Sequence, residues 1–201
     1  MTPYGLFLAA PRTLEVRELT LAPLQDGQAR VRVAGCGLCH TDVGFWSGSV
    51  RPKHELPLIL GHEIAGIVED VAGPSTMAAG QQVLVPAVMP CGRCDLCTHG
   101  RPLACAHQVM PGNDIHGGFA THVVVPADML VPLPDDLGSH ALAELAVVAD
   151  AVTTPYQSIR RACVNPGDLV VVIGVGGIGT YAVQIARALG ALVAAVDVDE
   201  E

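Results

Sequence analysis

Three sets of residues in this chain have the types and spacing to do chemistry. The tightest is Cys91, Cys94, Cys97 and Cys105, a Cys-x2-Cys-x2-Cys-x7-Cys run inside PCGRCDLCTHGRPLACA. Four thiolates at about 2.3 Å complete a tetrahedral zinc shell with no open position, so the set predicts a structural zinc. Gly92 and Gly100 allow the tight turns that converging sulfurs need. The competing assignment is a disulfide cluster, which suits small secreted domains. No charged start followed by an apolar signal segment opens the chain, so the expectation is a cytoplasmic protein whose spaced cysteines bind metal.

The second set is Cys39-His40-Thr41-Asp42 together with Gly61-His62-Glu63. Cys39 and His62 offer one sulfur and one imidazole, both ligand types that zinc takes. A reactive zinc keeps three protein ligands and leaves the fourth position to water or substrate. Each residue also has a plainer reading, since a buried Cys is usually an inert small hydrophobe. His62-Glu63 is not the metalloprotease helix, because Gly66 stands where the second His is required.

The third set is Gly174-Val175-Gly176-Gly177-Ile178-Gly179, a G-x-G-x-x-G placed between an apolar strand pattern and a helix pattern. Gly174 would permit the tight turn, Gly176 the approach of a pyrophosphate, and Gly179 close helix–strand packing. Backbone N–H groups at Gly177 and Ile178, where the helix begins, would meet the phosphates. Asp197, about 20 residues on, would accept from the adenosine ribose and repel a 2′-phosphate, favouring NAD over NADP. The alternative is a βαβ unit whose glycines serve packing alone.

These sets need elements to position them. Ala29–Ala34 alternates, with Val31 and Val33 on one face and Arg30 and Arg32 on the other. Ile64–Val71, Val83–Ala87 and Thr121–Val125 read as further short strands. Such strands, broken by Gly and Pro, predict a partly open β-barrel with functional loops. The pattern then changes: Leu142–Val148 and Thr153–Ala162 read as helices. Leu169–Ile173 and Ala191–Val196 read as buried parallel strands flanking a helix that Gly190 ends. The 201 residues are half hydrophobic, enough for one or two domains with a real core. A net charge of −9 argues against nucleic-acid binding. Apolar runs such as Leu56–Leu60 fall far short of the ~20 residues that a membrane helix needs.

Together, the segment GHEIAGIVEDVAGPS, the four-cysteine lobe and the GVGGIG turn resemble the zinc-containing medium-chain alcohol dehydrogenases. The resemblance implies a GroES-like catalytic domain over residues 1–150 and the first βαβ of a doubly wound Rossmann domain over 151–201, truncated at Glu201. It implies that Cys39 and His62 hold a catalytic zinc, with Glu63 close enough to exchange with its water. Thr41 falls where the family places the hydroxyl that takes the alcohol proton. Asp42 orients His62, and His40 meets the cofactor pyrophosphate. The expected cofactors are zinc, in both a catalytic and a structural site, and NAD.

Two departures stand out. Where most relatives carry a third cysteine ligand the segment reads ADAVTTPYQS, leaving Asp150 as the nearest residue able to bind zinc. Gly44 occupies the place of a proton-passing histidine. A narrower resemblance, through VVADAVTTPYQS, VPAVMPCGRCDLC and MPGND, is to the 6-hydroxycyclohex-1-ene-1-carbonyl-CoA dehydrogenases. It implies a ring alcohol on a CoA thioester as substrate; the intact enzyme is expected to be a homo-oligomer. The alternatives are a zinc-stapled binding module without activity, or an oxidoreductase that lacks the catalytic metal.

Overall fold

The computed structural model describes residues 2–198. The chain divides into two compact units, the first ending at Ala149 and the second beginning at Asp150. In the first, β1 (Tyr4–Ala10) and β2 (Thr13–Glu18) form a hairpin, and β3 (Gln28–Gly37) leads into α1 (His40–Ser47). Strands β4 (Leu58–Ile59), β5 (Glu63–Val71) and β6 (Gln82–Val85) follow. A lobe then carries α2 (Asp95–Thr98) and a 3₁₀ turn (Pro102–Ala104), before β7 (His122–Pro126) and β8 (Val131–Pro132). A 3₁₀ helix over Leu142–Ala149 is the last element of this unit.

The strands make two sheets, ordered β7-β3-β5-β6-β8 and β2-β1-β4, with every pairing antiparallel. They do not close into one barrel. Backbone bonds such as Leu6 N–H to the Phe119 carbonyl (2.8 Å) and Thr121 N–H to the Tyr4 carbonyl (2.9 Å) join them at one side. Alternation fills the core from the five-stranded sheet: Val31, Ile64, Val68, Val83, Val85, Val123 and Val125 pack together. Against the expected pattern, β3 is interrupted by irregularities between Arg30 and Val31 and between Val33 and Gly35, and it runs on through Gly37. The Gly35-Cys36-Gly37 stretch is therefore strand.

Leu142–Ala149 is helical as expected, but as a 3₁₀ helix. Ala146 and Ala149 are its buried residues, and Leu142, Leu145 and Val148 pack beside Ala146. Ala146 packs with Ala65 and Leu84, and Ala143 lies against Gly35, where an added Cβ would meet Ala143 backbone atoms at 2.6 and 2.8 Å. Gly35→Ala is expected to push this helix outward and cost about 1–3 kcal/mol, read as a lower urea midpoint. An unchanged midpoint would show that the contact has slack.

In the second unit α3 (Thr153–Arg161) precedes β9 (Leu169–Ile173), α4 (Gly177–Ala188) and β10 (Leu192–Val196). β9 and β10 pair in parallel, Leu169 with Leu192 through Ile173 with Val196. Ile159, Ala182, Ile185 and Ala186 pack with Val170 and Val193 on one face of this pair. The expected burial of both strands on both faces does not hold. Leu169, Val171 and Ile173 are 69%, 54% and 84% exposed, because α3 and α4 cover only the face carrying Val170 and Val193. Among the described residues, no helix is long and apolar enough to cross a membrane.

Candidate functional site

The cysteine lobe folds locally. Cys94 sits at the N-terminus of α2, Cys97 lies within it, and Cys105 follows the 3₁₀ turn. Gly92 and Gly100 take positive φ of 70° and 72°, a conformation that favours glycine. Sγ of Cys94 lies 3.5 Å from Sγ of Cys97 and 3.8 Å from that of Cys105, and all four sulfurs fall within 4.8 Å of one another. Metal bonds of about 2.3 Å make a tetrahedron with edges of about 3.8 Å. A disulfide needs about 2.05 Å, so the spacing fits a four-thiolate zinc and not a cystine.

Backbone donors prepare these thiols for a cation. N–H groups of Cys91 and His107 point at Cys105 Sγ, at 3.4 and 3.3 Å. The N–H groups of Arg93 and Cys94 pull the Cys91 thiol down to about 6. Burial and the neighbouring thiols push Cys97 up to about 12, so without metal the lobe holds protons that zinc would displace.

The second constellation is assembled by strand register. β3 and β5 pair with Gly37 opposite Glu63 and Cys36 opposite Ile64. Cys39, two residues past the end of β3, thereby meets His62, one residue before β5. Cys39, His62 and Glu63 each present a ligand atom within 4.8 Å of the others. Both His62 and Glu63 are buried, at 1% and 4% exposure. Glu63 lies over Gly37, where any Cβ would run into its carboxylate.

Asp42 ties the parts together. Sitting in the first turn of α1, it accepts from Cys39 N–H through Oδ2 and from Gly61 N–H through Oδ1, both at 3.0 Å. The same Oδ1 stands 3.6 Å from His62 Nδ1. One buried carboxylate thus fixes the backbone on both sides of the site and faces the imidazole, as metal-binding His requires. Gly61 also contributes. At φ 95°, an added Cβ there would meet Cys36 Sγ at 2.6 Å and the Phe119 ring at 2.8 Å. Sequence reasoning missed this role, and it missed α1 itself. An acid three residues after Cys39 and Gly48 at the helix end were the available signals. Burial, then Asp42, pushes the Cys36 thiol to about 12, so Cys36 is a packing group.

Thr41 and His40 open α1 with exposed side chains, and Thr41 Oγ1 lies 3.7 Å from Cys39 Sγ. Asp150 begins the second unit, one peptide bond beyond Ala149. Its Oδ1 accepts from Thr154 Oγ1 at 2.5 Å. The Ala149 carbonyl is itself held by Ala87 N–H at 3.4 Å.

Within the second unit, the glycine turn has its expected shape. Gly174 takes φ 88°, and an added Cβ at Gly179 would strike the Gly174 carbonyl, so α4 lies tight against β9. Above Gly176 and Gly177 an added Cβ would meet nothing within 4 Å, leaving the turn open to a ligand. Asp197, just past β10, accepts from Val175 N–H at 2.5 Å. This acid shapes the turn as well as standing beside it.

Residues 25–135 match the family of the alcohol dehydrogenase GroES-like domain, and the chain belongs to that family. An alcohol dehydrogenase of Geobacillus stearothermophilus is 36% identical over 192 residues, covering 94% of this chain and 56% of the relative. A D-arabinose 1-dehydrogenase (NADP(+)) of Saccharolobus solfataricus is 32% identical, covering 88% of this chain and 51% of that protein. The structure of a cobalt- and zinc-bound thermostable alcohol dehydrogenase from Pyrobaculum aerophilum superposes with a TM-score of 0.87 at 29% identity. That match covers 97% of this chain and 59% of the solved one. The chain spans about half the length of the curated relatives it matches.

Proposed function

We propose that the protein is a zinc-dependent alcohol dehydrogenase that oxidises a secondary or ring alcohol and transfers the hydride to NAD. The observation that carries this reading is the convergence of Cys39, His62 and Glu63 around the Asp42 clamp. Cys39 and His62 would hold the catalytic zinc, and Cys91, Cys94, Cys97 and Cys105 the structural one. Asp150 is the third protein ligand in this proposal, through oxygen, a donor that zinc accepts. Bound zinc supplies Lewis acidity toward the alcohol oxygen, and bound NAD supplies the hydride-accepting ring.

The chain's own residues do the rest. The Thr41 hydroxyl accepts the alcohol proton, while the hydride leaves the carbinol carbon with the bonding electron pair. Gly44 offers no imidazole to pass that proton on, so it leaves through water. Glu63 would be close enough to exchange with a water bound to the catalytic zinc. The N–H groups of the Gly174–Gly179 turn, Gly177 and Ile178 among them, would bind the cofactor pyrophosphate, and His40 would supply a basic group toward it. Asp197 accepts from the ribose and repels a 2′-phosphate, which favours NAD although one relative is named for NADP(+). The narrower substrate proposal is a ring alcohol on a CoA thioester, in a cytoplasmic homo-oligomer.

Metal analysis combined with oxidation of a panel of ring and secondary alcohols, with NAD and with NADP, tests the reading. The expected result is two zincs per chain and faster turnover with NAD. Asp150→Ala should lose one zinc and at least about tenfold in rate, whereas Asp150→Cys should keep both zincs and some turnover. Two zincs and a normal rate in Asp150→Ala would remove Asp150 from the ligand set. A single zinc in the wild type would overturn the enzyme reading itself.

A further inference from the structure

β2 is the outer strand of the β2-β1-β4 sheet, and all six of its residues are exposed. Such an edge presents unpaired backbone N–H and C=O groups, which proteins usually protect with Pro, charged side chains or a bulge. Between Thr13 and Glu18 there is no Pro, and the charges are of both signs, Glu15, Arg17 and Glu18, so they can pair with a like strand as well as repel one. The side chains sort cleanly by face. Glu15 and Arg17 stand beside Phe7 and Gly5, whereas Leu14, Val16 and Glu18 stand beside Leu8, Leu6 and Tyr4. On the first face, Arg17 bonds Glu15 at 2.6 Å and holds its guanidinium 5.3 Å from the Phe7 ring centroid. On the second, Leu14 and Val16 are 45% and 70% exposed. Leu14 also borders an apolar cavity of about 470 Å³, lined by Leu6, Leu38, Val43, Trp46 and Phe119 as well.

We propose that β2 pairs antiparallel with β2 of a second copy of this chain, about a two-fold axis through Val16. Copies that each carry −9 repel at long range, so contact requires local complementarity. Centring the ladder on Val16 supplies it. Glu15 then faces Arg17 of the second copy, Arg17 faces its Glu15, and the two Val16 side chains meet on the opposite face. The four charges form a checkerboard with unlike neighbours. Centring on Glu15 or on Arg17 sets like charges face to face, and a one-residue slip turns the charged face against the apolar one. Of these registers only the Val16 one sets unlike charges opposite each other on the Glu15–Arg17 face. On the other face it sets Val16 against Val16 and Leu14 opposite Glu18 of the second copy, at the border of the apolar cavity.

Analytical ultracentrifugation of wild type, Glu15→Arg, Arg17→Glu and an equimolar mixture of the two variants tests the pairing. Each variant alone sets two like-charged pairs across the axis and should associate about tenfold more weakly than wild type. In the mixture, position 15 of each variant faces position 17 of the other with unlike charge, so association should return to the wild-type level. Recovery only on mixing separates an interface from a fault within each monomer, because neither monomer has regained its own Glu15–Arg17 pair. Val16→Glu, which places two carboxylates on the axis, should also dissociate. Wild-type association in either charge variant, no recovery in a mixture of variants with native circular dichroism, or no association of the wild type would each overturn the proposal.

Discussion

Asp42→Ala is expected to unfold the second constellation without touching the cysteine lobe. The carboxylate is 1% exposed and accepts from Cys39 N–H and Gly61 N–H at 3.0 Å each. Removing it strands one buried donor, Gly61 N–H, at about 1–3 kcal/mol, and one part-buried donor, Cys39 N–H, at less, and opens a small cavity beside His62. The sum is about 3–5 kcal/mol of stability, together with about 10–100-fold in metal affinity at Cys39 and His62 as the imidazole loses its facing carboxylate. Asp42→Asn should recover part of the stability, since an amide oxygen still accepts one of the two N–H groups. Urea unfolding with and without chelator, beside zinc titration, reads both effects. An Asp42→Ala protein with wild-type midpoint and wild-type zinc content would show that α1 is held by its apolar contacts alone.

Cys97→Ser should have an equally large effect of a different kind. Within the lobe, α2 and the following 3₁₀ turn bury no residue, and Cys105 is buried at 4% exposure. No apolar core is available there to replace the metal, and a hydroxyl is a poor substitute for a thiolate. In small zinc domains the metal contributes about 10–16 kcal/mol of binding free energy, which is folding free energy. The damage should stay local. Met89 and Val109 exchange backbone bonds of 2.8 and 2.9 Å at the base of the lobe, and Met89 packs in the main core. The expected outcome is loss of one zinc and rapid tryptic cleavage at the exposed Arg93, with the remainder of the chain resistant. Cys36→Ala is the control and should lose no zinc. A Cys97→Ser protein that resists trypsin as wild type does would mean that turns, not metal, hold the lobe.

Local features were legible in the chain alone. The cysteine lobe could be read because its four sulfurs lie within fifteen residues, Cys91 to Cys105, and spacing brings them together. The Gly174–Gly179 turn was readable for the same reason: strand, turn and helix are consecutive, and Gly174 and Gly179 each have a steric reason to lack a Cβ. The remainder depended on how distant elements pair and pack. Cys39 and His62 meet because β3 and β5 pair with Gly37 opposite Glu63, a register set after two irregularities in β3. A strand pattern repeats every two residues and cannot by itself locate a bulge, so that register was not readable. The triple reach of Asp42 was hidden too, since Gly61 arrives from another element across nineteen residues. Likewise the apolar run of β9 announced a strand but not what covers it, and Ile173 is left 84% exposed. Burial depends on which elements pack against a face, and a periodic pattern carries no information about that.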